Sequence, residues 1–367
     1  MERYLCKFRM MLCLLIFPAL AVQAQDKVDS LMPVRGLCIG APRPNSVDSF
    51  VSFIEEAVAP KKINLIILQI EYHYQFKSHP ELTDTLALST ADVKKIVSVC
   101  RKDHIRLIPQ IDMLGHQSWA NRPNILLKKY PQFDETPWIS MPAVYKWPNA
   151  DSLYCKSYCP LLPEVHKVLF EVMDELVDVF EADAFHAGMD EVFFLGEDKC
   201  PRCAHHDRSV LFANEVTAIH DHLAKRNKTL YIWGDRLIDG LTTGIGMWEG
   251  SYNDTWRAVD MIPKDVVICD WHYDRPDKTP IYFAMKGFRV LSCPWRTPDF
   301  AVQQIKDILN FRANSTPEMK ERFLGVLETT WTFPSLFMGA YYNPHPADET
   351  SSWNTYKVIC DEIGRLN

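Results

Sequence analysis

The sequence predicts an α/β chain folded as a (β/α)8 TIM barrel. It reads as a single domain, residues 25–367, behind an export signal over 1–24. Three observations predict this. Short apolar or β-branched runs recur along the chain, and amphipathic helical stretches separate them, an alternation that implies parallel pairing. About eight such units fill roughly 300 residues, which suits a closed barrel better than an open doubly wound sheet. No glycine-rich phosphate turn follows the first strand, which argues against dinucleotide binding.

The elements follow in order. "VRGLCIG" (34–40) is the first strand candidate, and "VDSFVSFIEEAVA" after it has helical apolar spacing. "INLIILQI" (63–70) is the second. "TADVKKIVSVCRKDH" is a helix with Thr90 as its predicted N-cap, and it leads into "IRLIPQID" (105–112). A long irregular stretch over 113–160, rich in Pro, Trp and Tyr, is expected to overhang the face where barrel enzymes work. "PEVHKVLFEVMDELVDVFE" is a long amphipathic helix with Pro163 at its start, and "ADAFHAG" (182–188) is the fourth strand. "LFANEVTAIHDHLAKRN" precedes "TLYIWGD" (229–235). "GIGMW" (244–248), "DVVICDW" (265–271), "FRVLSCPW" (288–295) and "FLGVLETTW" (323–331) complete nine candidates for eight places, "GIGMW" being a short strand or part of a loop.

Apolar residues make up 47% and charged residues 24%, a composition that can bury a core. A net charge of −7 gives no ground for a nucleic-acid partner. Arg3, Lys7 and Arg9 precede the apolar run "MMLCLLIFPALAV", and Val22 and Ala24 stand where a signal peptidase reads. Cleavage after Ala24 and an exported, periplasmic or extracellular protein are expected. No other stretch is long and apolar enough for a membrane span. Cys6 and Cys13 leave with the signal, so nine cysteines remain. "CPRC" (200–203), followed by His205 and His206, looks like half a zinc site that Cys155 and Cys159 could complete. The expectation is nevertheless disulfides or free thiols, with no metal and no cofactor, since zinc is commoner in reducing compartments.

Polar and aromatic side chains cluster where the strands stop: Glu71, Asp112 and His116, then His186, Asp190 and Glu191, then Trp233 and Asp235, and later Trp271, Trp295 and Trp331. Scattered strand ends converge only in a closed parallel sheet. His186, Gly188 and Asp190 share one parity and hence one face, while Glu191 lies just past the strand where the chain turns. Two close carboxylates hold a proton more readily than either alone, which suits general acid catalysis and glycoside hydrolysis. The plainer reading of Asp190–Glu191 is a pair favouring a helix start.

"FHAGMDEV" resembles the His-x-Gly-Gly-Asp-Glu motif of glycoside hydrolase family 20, the β-N-acetylhexosaminidases. "LIPQIDMLGHQSWA" resembles that family's third strand, and "RGLCIGAPR", "KINLIILQI", "YIWGD", "DWHYD" and "GVLETTW" resemble its other strands in order. The resemblance implies an exo-acting retaining hydrolase that removes terminal N-acetylhexosamine from glycans, with the substrate's 2-acetamido group as nucleophile, one of the exceptions to two-carboxylate catalysis. It implies Glu191 as acid and base, and Asp190 as the group that orients the acetamide. Arg35 would grip sugar hydroxyls, Trp233, Trp271 and Trp331 would shape the pocket, and Tyr273 would bond the acetamide oxygen. His116 and His186, with Asp112 and Glu71, would stand behind them. Met189, Leu114 and Gly40 depart from the family pattern, as do Thr332 and Phe333 after Trp331, which leaves gluco or galacto preference and oligomeric state open. Arg35 as a structural ion-pair partner is the competing assignment, because a buried Arg needs an acid in any fold. Two other functions remain at this point: a metal-dependent barrel hydrolase with Asp112, His116, His186 and Asp190 as ligands, and a non-catalytic carbohydrate-binding barrel.

Overall fold

The computed structural model describes residues 27–343 and 351–366, so the stretch read as an export signal lies outside the described residues. Eight parallel strands close into a barrel in chain order: β1 Val34–Gly40, β2 Leu65–Gln69, β3 Arg106–Met113, β4 Ala184–Gly188, β5 Thr229–Trp233, β6 Val267–Trp271, β7 Arg289–Cys293 and β8 Phe323–Thr329. β8 returns to β1 in register, Val34 opposite Gly325 through Cys38 opposite Thr329.

Alternation along each strand divides the core in two. Cys38, Leu65, Ile67, Val267, Cys269, Leu291 and Leu327 point into the barrel and fill it. Their neighbours Leu37, Ile66, Leu68, Ile268 and Val290 point outward and pack with the surrounding helices. Those helices include α1 Val47–Phe53, α2 Thr90–Lys102, α3 Pro163–Val179, α4 Arg208–Ala224, α5 Thr279–Met285, α6 Pro298–Ala313 and α7 Ser352–Arg365. α3 begins at Pro163 as predicted, where the missing N–H costs nothing. α2 is capped one residue earlier than predicted: the Ser89 side chain accepts from the Asp92 N–H, and Asp92 accepts from the Ser89 N–H in return. No helix among the described residues is long and apolar enough to cross a membrane.

The ninth candidate, 244–248, is loop. Gly244 (φ 69°) and Gly246 (φ 109°) adopt conformations no strand uses. The carbonyls of Met247, Trp248 and Gly250 all accept from Arg236 Nη2 at 2.8 Å, so they do not pair with a neighbouring strand. Two long connections leave the carboxyl ends of β3 and β4. The first carries a two-residue antiparallel hairpin, Ser118–Trp119 against Arg122–Pro123, and a short helix, Ile125–Lys129. The second, 189–207, has no helix or strand and begins with the acid pair.

Candidate active site

The carboxyl end of β4 builds the site by a change of backbone hand. Gly188 has φ 65°, and a Cβ on it would stand 2.2 Å from Asp112 Oδ1, so only glycine fits. Met189 (φ 72°) and Glu191 (φ 47°) are also left-handed, a conformation that non-glycine residues hold only under local constraint. This kinked step turns Asp190 and Glu191 into one hollow, where they are 7% and 8% exposed. Facing them, the chain leaving β3 is equally tight. A Cβ on Gly115 would stand 2.5 Å from the Asp190 carbonyl oxygen, and His116 (φ 53°) follows. His116 Nε2 reaches Asp190 Oδ2 at 3.2 Å and Glu191 Oε2 at 3.1 Å, so one imidazole bridges both acids.

That bridge sets the charge of the site. Burial works against an imidazolium at His116, but Asp190, Cys155 and Glu191 together outweigh it, and the ring's pKa is raised well above its ordinary value. Burial also pushes Asp190 up, with His116 opposing. Behind Asp190, burial and then Asp190 itself push Asp112 up to about 7. Glu71 is also raised, by burial and by Asp112, and its carboxylate accepts the Asp112 N–H at 3.2 Å. Burial thus favours the protonated form along this row of carboxyl groups beneath the hollow. His186 is different: burial pushes it down to about 3, so the ring is neutral. Its Nδ1 accepts the Gly188 N–H at 3.1 Å, which places the ring proton on Nε2, and the ring packs 4.5 Å from Trp233.

Aromatic groups form the floor and one wall. Trp233 is fully buried, and Trp331, about one-third exposed, lies 5.6 Å from it. Trp331 Nε1 donates to the Tyr273 hydroxyl oxygen at 2.7 Å, and Tyr273 lies 4.9 Å from Trp271. Glu249 fixes this wall: one of its oxygens accepts the Tyr273 N–H at 3.0 Å and the other meets His272 Nδ1 at 2.8 Å. The β3 connection adds a rim that the sequence reading did not resolve into residues. Tyr154 stands 6.2 Å from His116 and 4.6 Å from Trp248, with Trp119, Trp147 and Phe193 around it. Trp119 is 57% exposed, an apolar face open at the mouth.

Asp235 is the second residue missed, although its place at a strand end was visible. One of its oxygens accepts the Glu191 N–H at 2.9 Å and Arg236 Nε at 2.6 Å, and the other accepts Trp271 Nε1 at 3.2 Å. It ties the acid pair to the aromatic wall and neutralises a buried guanidinium. Asp235→Ala strands that charge, and breaking a buried pair from one side costs about 3–5 kcal/mol. The expected result is a lower urea midpoint, with Asp235→Asn intermediate. An unchanged midpoint for the alanine variant would remove Asp235 from this role.

Arg35 corrects the sequence reading. It lies at the amino end of β1, the far end of the barrel. There it donates to the carbonyls of Met32 and Lys62 at 2.6 and 2.7 Å and pairs with Asp29 at 2.8 Å. These are structural contacts, and the guanidinium does not reach the hollow. The arginine on the acid-bearing side of β1 is Arg43, exposed and three residues past the strand. The ligand set weighed for a metal hydrolase is not assembled either. Among the described residues His116, Asp190 and Glu191 group together, while Asp112 and His186 fall outside that group. None of the nine described cysteines forms a disulfide. Cys155 and Cys159 do not act as a pair: Cys155 Sγ meets the Glu191 carbonyl at 3.4 Å, whereas Cys159 Sγ faces Cys203 at 3.6 Å.

Residues 56–333 match the model of the glycosyl hydrolase family 20 catalytic domain. A β-hexosaminidase of Coccidioides posadasii is 23% identical over 264 residues, covering 66% of this chain and 40% of that protein. A β-hexosaminidase of Akkermansia muciniphila is 34% identical over 112 residues, 30% of this chain and 21% of that one. The chain thus spans two-fifths or less of the length of these two relatives. Among solved structures, Flavobacterium johnsoniae chitobiase superposes with a TM-score of 0.60 at 18% identity, over 91% of this chain and 51% of that one. A β-N-acetylhexosaminidase from Bacteroides fragilis gives 0.57 at 17% identity, over 90% and 65%. At these identities the structural likeness is one of fold.

Proposed function

This chain belongs to glycosyl hydrolase family 20, and from that premise we propose that it is an exo-acting, retaining β-N-acetylhexosaminidase that works by substrate-assisted catalysis. One observation carries the reading. Two adjacent buried acids share His116, yet Asp190 keeps its second oxygen, Oδ1, buried and without a hydrogen-bond partner among the described residues. A buried acceptor left open costs free energy unless something arrives to fill it. The N–H of a 2-acetamido group would do so.

The chemistry follows from the positions. Glu191 gives its proton to the glycosidic oxygen as the bond to the anomeric carbon breaks. The acetamide carbonyl oxygen attacks that carbon from the opposite face and closes an oxazolinium ring. Asp190 accepts the acetamide N–H and holds the carbonyl in line, then stabilises the positive charge that develops. Glu191, now a carboxylate, takes a proton from water as the water opens the ring, so the anomeric configuration is retained. Because Trp331 donates to the Tyr273 oxygen, the phenolic proton stays available to bond the acetamide oxygen. Trp233, Trp271 and Trp331 offer the apolar surface against which the methyl group and the sugar face pack. The glycan is the only partner this reading needs.

Aryl glycosides that differ only at C2 and C4 test it. The β-N-acetylhexosaminides should turn over, and the analogue with a 2-hydroxyl should lose about 10³-fold or more in kcat/KM, because a positioned internal nucleophile is worth at least that much. Comparable hydrolysis of the 2-hydroxyl analogue would defeat the substrate-assisted route. The C4 pair reports gluco or galacto preference.

A further inference from the structure

Outside the acid pair, the densest gathering of reactive side chains lies between the two long connections. Glu135 and Cys159 come from the β3 connection, Cys200 and Cys203 from the β4 connection, and all four are buried to 1% or less. The sulfur of Cys203 is 3.6 Å from that of Cys159 and 3.1 Å from that of Cys200, and Cys159 and Cys200 are 3.7 Å apart. Both Glu135 oxygens stand 2.8 Å from Cys203 Sγ. We propose that Glu135, Cys159, Cys200 and Cys203 form a closed, structural zinc site that joins the two connections.

The geometry favours a metal over a disulfide. Each sulfur–sulfur separation is well beyond a disulfide bond of about 2.05 Å. One disulfide could use only two of the three sulfurs, leaving a thiol and a carboxylate facing it in a fully buried space. A tetrahedral zinc with bonds of about 2.3 Å sets its sulfurs roughly 3.7–3.8 Å apart. Two of the three edges match that spacing within about 0.2 Å, and the third needs a small opening. Three soft thiolates and one carboxylate make a four-coordinate set of donors that zinc accepts. The surroundings are those of metal ligands as well. Cys200 Sγ accepts the N–H groups of Arg202 and Cys203, Cys159 Sγ accepts that of Leu161 and the Arg202 Nε–H at 3.4 Å, and the Glu197 N–H reaches Glu135 at 3.2 Å. His205 and His206, beside the "CPRC" turn, are exposed and take no part. The fourth ligand is Glu135 rather than Cys155, a partner that no cysteine count could reveal.

The site needs no particular catalytic function, so it stands or falls apart from the hexosaminidase reading. Its effect would be mechanical. The connection that begins with Asp190–Glu191 has no helix or strand before α4, and zinc would anchor its middle to the connection that carries His116 and Tyr154.

The test uses residues 25–367, the chain that cleavage after Ala24 would leave, purified without chelator. Elemental analysis should find about one zinc per chain. Denaturation with chelator and no reductant should release nine titratable thiols. Refolding with cobalt should give tetrahedral d–d bands together with thiolate-to-cobalt charge transfer. The double variant Cys200→Ser/Cys203→Ser should lose the metal, while His205→Ala/His206→Ala should keep it. If the cysteine variant does not fold, the wild-type metal content and cobalt spectrum decide. A wild-type chain without zinc, a cobalt spectrum lacking the charge-transfer band, or an intact mass two hydrogens short through a disulfide among these cysteines would each overturn the site.

Discussion

Glu191→Gln is expected to lower kcat on an aryl β-N-acetylglucosaminide by about 10²–10⁴-fold, the usual worth of a positioned general acid–base. Glutamine keeps the shape of the side chain and can still meet His116 Nε2, which lies 3.1 Å from the present Glu191 oxygen. The backbone bond from the Glu191 N–H to Asp235 is untouched. Binding of the product sugar should therefore change little, and the loss should fall on kcat. It should also deepen as the leaving group becomes more basic, because a poor leaving group depends on the donated proton. A variant with wild-type turnover on poor leaving groups would remove Glu191 from the acid role.

Asp190→Asn is expected to lower kcat by a comparable factor, but by another route and with another signature. Asparagine can still offer an oxygen, but it brings no charge to steady an oxazolinium. A thiazoline mimic of the cyclised intermediate should bind more weakly to the variant, while a simple 2-hydroxyl sugar should bind as before. The substitution also acts on His116. Burial disfavours that imidazolium, and Asp190 is the strongest influence keeping it charged. Once the charge at 190 is gone, the raised His116 pKa should fall, so the ring gives up its proton at a lower pH than in the parent. The alkaline limb of the pH–rate profile should move in the acid direction, and the imidazole nitrogen shifts in NMR should move with it. Unchanged thiazoline inhibition together with an unmoved His116 titration would show that Asp190 does neither task.

Much of this was legible in the sequence for a simple reason. A strand buried on both faces writes itself as an apolar run, and in a parallel barrel every run ends on the same side. The acids, His116 and the tryptophans at strand ends could therefore be gathered before any coordinates. Arg35 was misjudged because it begins its strand rather than ends it, and the direction of a parallel strand sends those two positions to opposite ends of the barrel. "GIGMW" imitates a strand in composition, but two left-handed glycines and the reach of Arg236 decide otherwise. Tyr154 and Glu135 had no local signal at all. Each sits in an irregular connection, 37 and 56 residues before Glu191, and only the folded path of that connection brings them in. Asp235 showed its charge and its strand end, but two of its three partners, the Glu191 N–H and the Trp271 indole, come from distant parts of the chain.

Consecutive numbering of the two acids has a consequence for how such a site can change over generations. A single peptide plane joins residues 190 and 191, and that plane sits in a strained turn wedged under Gly115. Neither carboxyl can be relocated without dragging its neighbour, so the placement of the reacting centre changes as a unit even though either side chain can be replaced alone. Adaptation to a different sugar or linkage falls more readily on the rim, where Trp119 stands exposed at the mouth, than on Tyr154, whose hydroxyl meets the Glu191 side chain.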